Sequence, residues 1–159
     1  MIDFRISPLK DEHLPQLWGI IQGYDYFDDI VKMDTLEDFK MWMKKNVVEG
    51  LVGIKGDEII GCGYLSNIHK GLGEINIFVK RRSIKQNKLV SVIKDYLMYF
   101  FIGCNLRMIY GIVRKDNKAC LRLMQKVGFK TTTVMEKHER IKNVWKDCIM
   151  AVILREEVL

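Results

Sequence analysis

Three groups of residues could do chemistry in this sequence. Residues 80–88, KRRSIKQNK, place Lys80, Arg81, Arg82, Lys85 and Lys88 within nine positions. Such a run attracts phosphate, although a solvated basic loop and contact with a nucleic-acid backbone are also readings of it. Residues 23–34, GYDYFDDIVKMD, interleave Tyr24, Tyr26 and Phe27 with Asp25, Asp28, Asp29 and Asp34. Aromatic faces among carboxylates suit a cationic amine, through cation–π contact and Coulomb attraction; a flexible acidic loop is the plainer alternative. Glu74 is the only acid between Leu72 and Lys80. His69 and His138 stand alone, and an isolated histidine is more often surface or satisfied core than a working group. Cys62, Cys104, Cys120 and Cys148 lie far apart among apolar neighbours, with no CxxC and no Cys/His cluster. That argues against a metal site and a disulfide framework and for a reducing compartment, the cytoplasm.

The elements that position these groups follow from hydrophobic periodicity. The chain has 159 residues, 48% hydrophobic and 29% charged, with only 2 prolines. It reads as one domain over 1–159 that buries a core without staples. No apolar run reaches membrane-spanning length, and no signal-peptide core opens the chain. Residues 1–50 hold ten acids against six bases, and the remainder ten against twenty. This asymmetry suggests an acidic and a basic surface for two unlike partners, with a solvated mixed-charge surface as the equal alternative. Phe4 to Leu9 alternates as a first strand. Leu14, Leu17, Trp18 and Ile21 recur at helical spacing, and Thr35 with Asp38 resembles a capping box opening a second helix.

After Gly50 the period becomes two. Leu51 to Lys55 and Glu58 to Leu65 are strands joined at Gly56-Asp57, and Leu72 to Lys80 is a third. A helix follows with Leu89, Val92, Ile93, Tyr96, Leu97 and Phe100 on one face. Met108 to Val113 is a strand, and Asn117 opens a helix that Gly128 stops. Residues 130–138 and 144–154 read as antiparallel strands. The fold class is mixed α/β, in the order β-α-α-β-β-β-α-β-α-β-β. Its strand-helix-strand crossover implies one central parallel pairing in a mostly antiparallel sheet.

Asp116 to Phe129, DNKACLRLMQKVGF, resembles the strand-end asparagine, amphipathic helix and terminal Gly-Phe of the GNAT N-acetyltransferases. FRISPLKDEHLPQLW at the start resembles the family's usual first strand and helix, and VWKDCIMAVILREE at the end is similar to the C-terminal strand of the ribosomal-protein and amine acetyltransferase branch, so the resemblance covers nearly the whole chain. It departs at the pyrophosphate loop, Arg/Gln-x-x-Gly-x-Gly/Ala in the family. Here Ile84, Asn87 and Leu89 stand where Arg, Gly and Gly/Ala would. Asparagine can adopt the left-handed backbone that glycine supplies, and the amides from Lys85 to Leu89 still open a helix.

The resemblance implies acetyl-CoA as co-substrate, held by Lys80, Lys85, Gln86, Asn87 and Lys88. A carbonyl donor is implied in the backbone near Phe78 or Val79, and a contact from Asn117 to the CoA arm, where an ordinary helix cap is an equal reading. Glu74 resembles the family's strand-four glutamate, a general base working through water; a solvent-facing strand-start carboxylate is its alternative. Met124 stands at the family's usual tyrosine acid and cannot donate. Cys120, one turn earlier, is a weak candidate acid or simply buried packing. Tyr24, Tyr26, Asp28 and Asp29 fall on the acceptor side. The implied activity is acetyl transfer to a primary, cationic amine, by direct attack in a ternary complex. The acceptor is a small molecule or a protein, without membrane or nucleic-acid partner, and the chain could be a homodimer. A catalytically silent GNAT-like binding or structural module is the rival, favoured by the altered loop and the missing tyrosine.

Overall fold

The computed structural model describes residues 4–24, 27, 31 and 33–159. Its elements are β1 (Phe4–Pro8), a 3-10 turn (Asp11–His13), α1 (Leu14–Ile21), α2 (Leu36–Asn46), β2 (Glu49–Lys55), β3 (Glu58–His69), β4 (Leu72–Val79), α3 (Gln86–Gly103), β5 (Met108–Arg114), α4 (Lys118–Val127), β6 (Lys130–Ile141) and β7 (Val144–Leu154). The expected order and class hold. One sheet runs β1-β2-β3-β4-β5-β7-β6. Every pairing is antiparallel except β4–β5. The two tail strands pair with each other inside this chain.

Local signals set the boundaries. Thr35 caps α2 through a reciprocal box, its Oγ1 accepting from the Asp38 N–H at 3.1 Å and the Asp38 carboxylate accepting from the Thr35 N–H at 2.9 Å. The Thr35 hydroxyl, donating to the Asp38 carboxylate at 2.7 Å, and then the Thr35 N–H hold the Asp38 carboxyl below its ordinary range. Gly128 ends α4 at φ +118, a conformation that side chains resist. β3 runs four residues past the expected Leu65. Ser66 and Asn67 break the apolar pattern, yet the ladder resumes beyond an irregularity between Ser66 and His69.

Two cores sandwich the sheet. Ile75 and Ile77 on β4 pack with α3, while Phe78 packs with Leu14, Leu17, Phe39 and Met43 of α1 and α2. Strand alternation therefore turns Glu74 and Asn76 toward the α1/α2 face. α3 buries Val92, Ile93, Tyr96, Leu97, Phe100 and Phe101, on the order of 10 kcal/mol of apolar burial at about 1.5–3 kcal/mol each. That anchors its body and leaves its first turn free to face a ligand.

Backbone crowds backbone where β3 runs beside the end of β4. A methyl on Gly61 would lie 2.6 Å from the Phe78 carbonyl oxygen and 3.1 Å from the Val79 Cα. Both are backbone atoms, so Gly61→Ala must move β4 itself. We expect it to cost about 1–3 kcal/mol, read as a lower urea midpoint at unchanged slope. An unchanged midpoint would show that the strand gives freely there. No helix among the described residues is long and apolar enough to cross a membrane.

Candidate active site

β4 and β5 pair in parallel only from Leu72↔Met108 to Glu74↔Tyr110. β4 continues to Val79 and β5 to Arg114, so beyond Glu74 the strands part and open a wedge in the sheet. The Lys80 N–H donates to the Ile60 carbonyl at 2.7 Å. Antiparallel alternation then points the amides of residues 74, 76, 78 and 80 at β3, and those of 75, 77 and 79 into the wedge. Phe78 thus spends its N–H on β3. Ile77 and Val79 present theirs to the opening, an edge of about 13 Å from Ile75 to Val79 at about 3.3 Å per residue.

At the mouth of the wedge, the Tyr24 hydroxyl donates to the Val79 carbonyl at 2.9 Å. The Arg81 guanidinium covers the Tyr24 ring at 4.9 Å. Tyr24, expected on the acceptor side, straps the end of α1 to β4. Tyr26, Asp28 and Asp29, the other expected acceptor residues, lie outside the described residues. Phe27 meets Trp42 edge-on at 4.7 Å. Near it is a hollow of about 420 Å³, whose lining includes Trp18, Tyr24, Phe27, Met33, Asp34 and Lys142. Its aromatic faces and Asp34 are chemically suited to an alkylammonium group, while Lys142 sets one positive charge in the same lining.

The basic run divides. Lys80 pairs with Glu58, Lys88 lies over the Phe4 ring at 5.4 Å, and Arg81 is on Tyr24. Among the described residues, Arg82 and Lys85 have no ion pair. Lys85 is the N-cap of α3 and supplies no side-chain cap, so the Gln86, Asn87 and Lys88 amides open the helix without one. Lys126 of α4 reaches this turn, donating to Gln86 Oε1 at 2.9 Å. The two large departures from the family loop point away from it. Ile84 and Leu89 are half-buried against the α3 core and line a small apolar space of about 20 Å³ between α3 and β1–β4. Both side chains are partly buried on the core side of the loop. Backbone donors at a helix start, with cations beside them, suit a diphosphate.

Glu74 stands at the vertex of the wedge, half-buried. Its Oε2 accepts from Asn67 Nδ2 at 2.7 Å and from the Tyr110 hydroxyl at 3.4 Å. The Tyr110 phenol is raised above its usual range by burial and by the Glu74 charge, and stays protonated. Sequence reasoning passed over both partners and the Ile77 amide. Glu74 lies about 17 Å along the strand from Val79 but only about 10 Å from Ile77. A base and a carbonyl donor serving one acyl group therefore fit Ile77 better than Val79.

Asn117 caps α4, its Oδ1 accepting from the Cys120 N–H at 3.2 Å. Burial pushes the Cys120 thiol up to about 11. A proton passed from it to a free thiolate near 8.5 would move uphill by about 3 kcal/mol. Met124 reaches the vertex from α4, its Cε 2.8 Å from where a Gly111 side chain would begin. His69 and His138 are both exposed.

No curated protein sequence matches the chain significantly. A point mutant of spermidine N-acetyltransferase SpeG from Vibrio cholerae is similar in structure, with TM-score 0.85 and 18% identity over 98% of this chain and 96% of that one. The Vibrio cholerae spermidine N-acetyltransferase in complex with CoA and spermine gives 0.83 and 18% over 98% and 97%. Ribosomal-protein-S5-alanine acetyltransferase from Vibrio fischeri gives 0.81 and 15% over 98% and 95%. At such identities the likeness is one of fold. The model of the acetyltransferase (GNAT) domain matches residues 24–150, and with the parted strands and the uncapped α3 it shows that the chain belongs to the GNAT acetyltransferase family, whose acyl donor is acetyl-CoA.

Proposed function

We propose that this protein moves acetyl from acetyl-CoA to a primary, cationic amine by direct attack in a ternary complex. The observation that carries the reading is the parting of β4 and β5 immediately beyond Glu74. It leaves an unpaired strand edge running from a carboxylate at one end to the α3 helix start at the other. The α3 amides, Lys85 and Lys126 hold the diphosphate. The open edge of β4 hydrogen-bonds the pantetheine arm, and the Ile77 N–H meets the thioester oxygen as negative charge develops on it. The amine enters from the α1/α2 face, its ammonium drawn by Asp34, Asp28 and Asp29 and stacked on the aromatics of the hollow. Glu74 takes the ammonium proton through water. The amine nitrogen bonds to the carbonyl carbon as the C–S bond breaks. The second proton that the nitrogen sheds on becoming an amide passes to solvent, the thiolate leaves without a dedicated acid and takes a proton from solvent, and Cys120 keeps a packing role.

The cationic acceptor is supported by the charge of residues 23–34 and by the polyamines named for the two similar Vibrio cholerae structures. The test is thiol release from acetyl-CoA with a panel of amines of matched length. Diamines and polyamines should exceed neutral monoamines in kcat/KM by about tenfold or more, the yield of one buried charge contact. Equal turnover across the panel would count against a cation-selective acceptor site. Thermal stabilisation by acetyl-CoA without thiol release from any amine would favour the silent module.

A further inference from the structure

Glu74 is placed with more care than a strand carboxylate needs. Ser66 on β3 pairs with Glu74 on β4, and the next pairing is His69 with Leu72. Asn67 and Ile68 therefore share a single opposite residue, Gly73, in a β-bulge. Asn67 adopts the left-handed backbone there, at φ +49. In a regular strand Asn67 would follow Ser66 onto the opposite face of the sheet from Glu74. The bulge brings its side chain back, and its amide donates to Glu74 Oε2 at 2.7 Å. From the other side, the last residue of the parallel ladder, Tyr110, gives its hydroxyl to the same oxygen at 3.4 Å.

We propose that Asn67 and Tyr110 are positioning residues that clamp Glu74 by Oε2 and reserve Oε1 for the proton of the acceptor amine. The proposal rests on the reading of Glu74 as the base. A free glutamate samples many rotamers, and each productive encounter would have to select one. Two donors on one oxygen fix the plane of the carboxylate and leave its other oxygen as the acceptor. On the strands that flank β4, Tyr110 on β5 pairs directly with Glu74, while Tyr64 and His69 on β3 stand opposite Asn76 and Leu72, to either side of the carboxylate along β4. The helices on that face pack through apolar residues, Leu14, Leu17, Phe39 and Met43. Among the described residues no lysine or arginine lies within ion-pair distance of Glu74. The clamp is made of neutral donors.

The test compares Asn67→Gly, Asn67→Asp and Tyr110→Phe, each in the wild-type and the Glu74→Gln background. Glycine keeps the left-handed backbone and removes the amide. Aspartate also tolerates that backbone, but sets a second carboxylate against the first. With Glu74 present, Asn67→Gly should lower kcat about tenfold, with the KM for acetyl-CoA and the melting temperature little changed. Asn67→Asp should fall further, and Tyr110→Phe, losing the longer bond, only about threefold. In the Glu74→Gln background Asn67→Gly should change kcat by less than about twofold, because the two act as one unit. Full activity in Asn67→Asp, or equal losses in both backgrounds, would show that Asn67 only makes the turn, and would overturn the clamp while leaving the base in place. Wild-type kcat in Glu74→Gln itself would remove the base, and the clamp with it.

Discussion

Glu74→Gln should lower kcat at neutral pH about a hundredfold, within the 10²–10⁴ that a general base contributes. The substitution preserves shape and leaves both oxygen-directed donors, Asn67 and Tyr110, a carbonyl to meet. It removes only the ability to take a proton. A primary alkylamine has a pKa near 10, so at pH 7.5 all but a fraction of a per cent carries a proton that must leave before nitrogen can attack. The variant's rate should therefore climb as pH rises toward the acceptor's own pKa, by about tenfold per unit, while the wild type rises less steeply because Glu74 supplies the deprotonation. The KM for acetyl-CoA should stay within about twofold, since the diphosphate grip lies at the far end of the wedge. Thiol release across pH 6.5 to 9.5 measures all three. A rate equal to wild type at pH 7, or a fall carried entirely by the KM for acetyl-CoA, would remove Glu74 from the chemistry.

The sheet was legible in the chain because burial writes alternation and helical spacing directly into residue type. The Thr35–Asp38 box, the Gly56 turn and the Gly128 stop each act through one or two residues, and local signals of that kind survive without tertiary context. The wedge could not be read in the same way. Ile75, Ile77 and Val79 alternate as Leu72 to Glu74 do, and nothing in β4 announces where its partner turns away. That point is set by the path of the α3 crossover and by Tyr110 falling opposite Glu74, a long-range register. The Asn67 bulge escaped for a related reason. Ser-Asn after an apolar run reads as the end of a strand, whereas here the extra residue is absorbed and the ladder resumes.

In the family loop, residue type and side-chain placement have to be read apart. Ile84 and Leu89 look disabling when set against Arg and Gly/Ala, yet both side chains enter the apolar space beneath α3. What a diphosphate needs from that loop is amide nitrogens, and these belong to every residue except proline.

That exception supplies the sharpest test of the coenzyme grip. Gln86 is the first residue of α3, the position where proline fits a helix best because its missing N–H has no intrahelical partner. The preceding Lys85 is already extended, at φ −70 and ψ 145, as a residue before proline prefers. Gln86→Pro should therefore leave α3 intact, with its six buried side chains still seated, and delete one backbone donor from the rim. It also releases Lys126 from the Gln86 side chain, a loss that Gln86→Ala reproduces alone. Hydrogen bonds to a charged group contribute about 1.5–3 kcal/mol, so the CoA Kd measured by calorimetry should rise about tenfold or more in Gln86→Pro. In Gln86→Ala it should rise less than about threefold, at closely similar melting temperatures. Equal affinities for the proline and alanine variants would mean that the amides of α3 do not touch the diphosphate, and that the lysines hold it as charges alone.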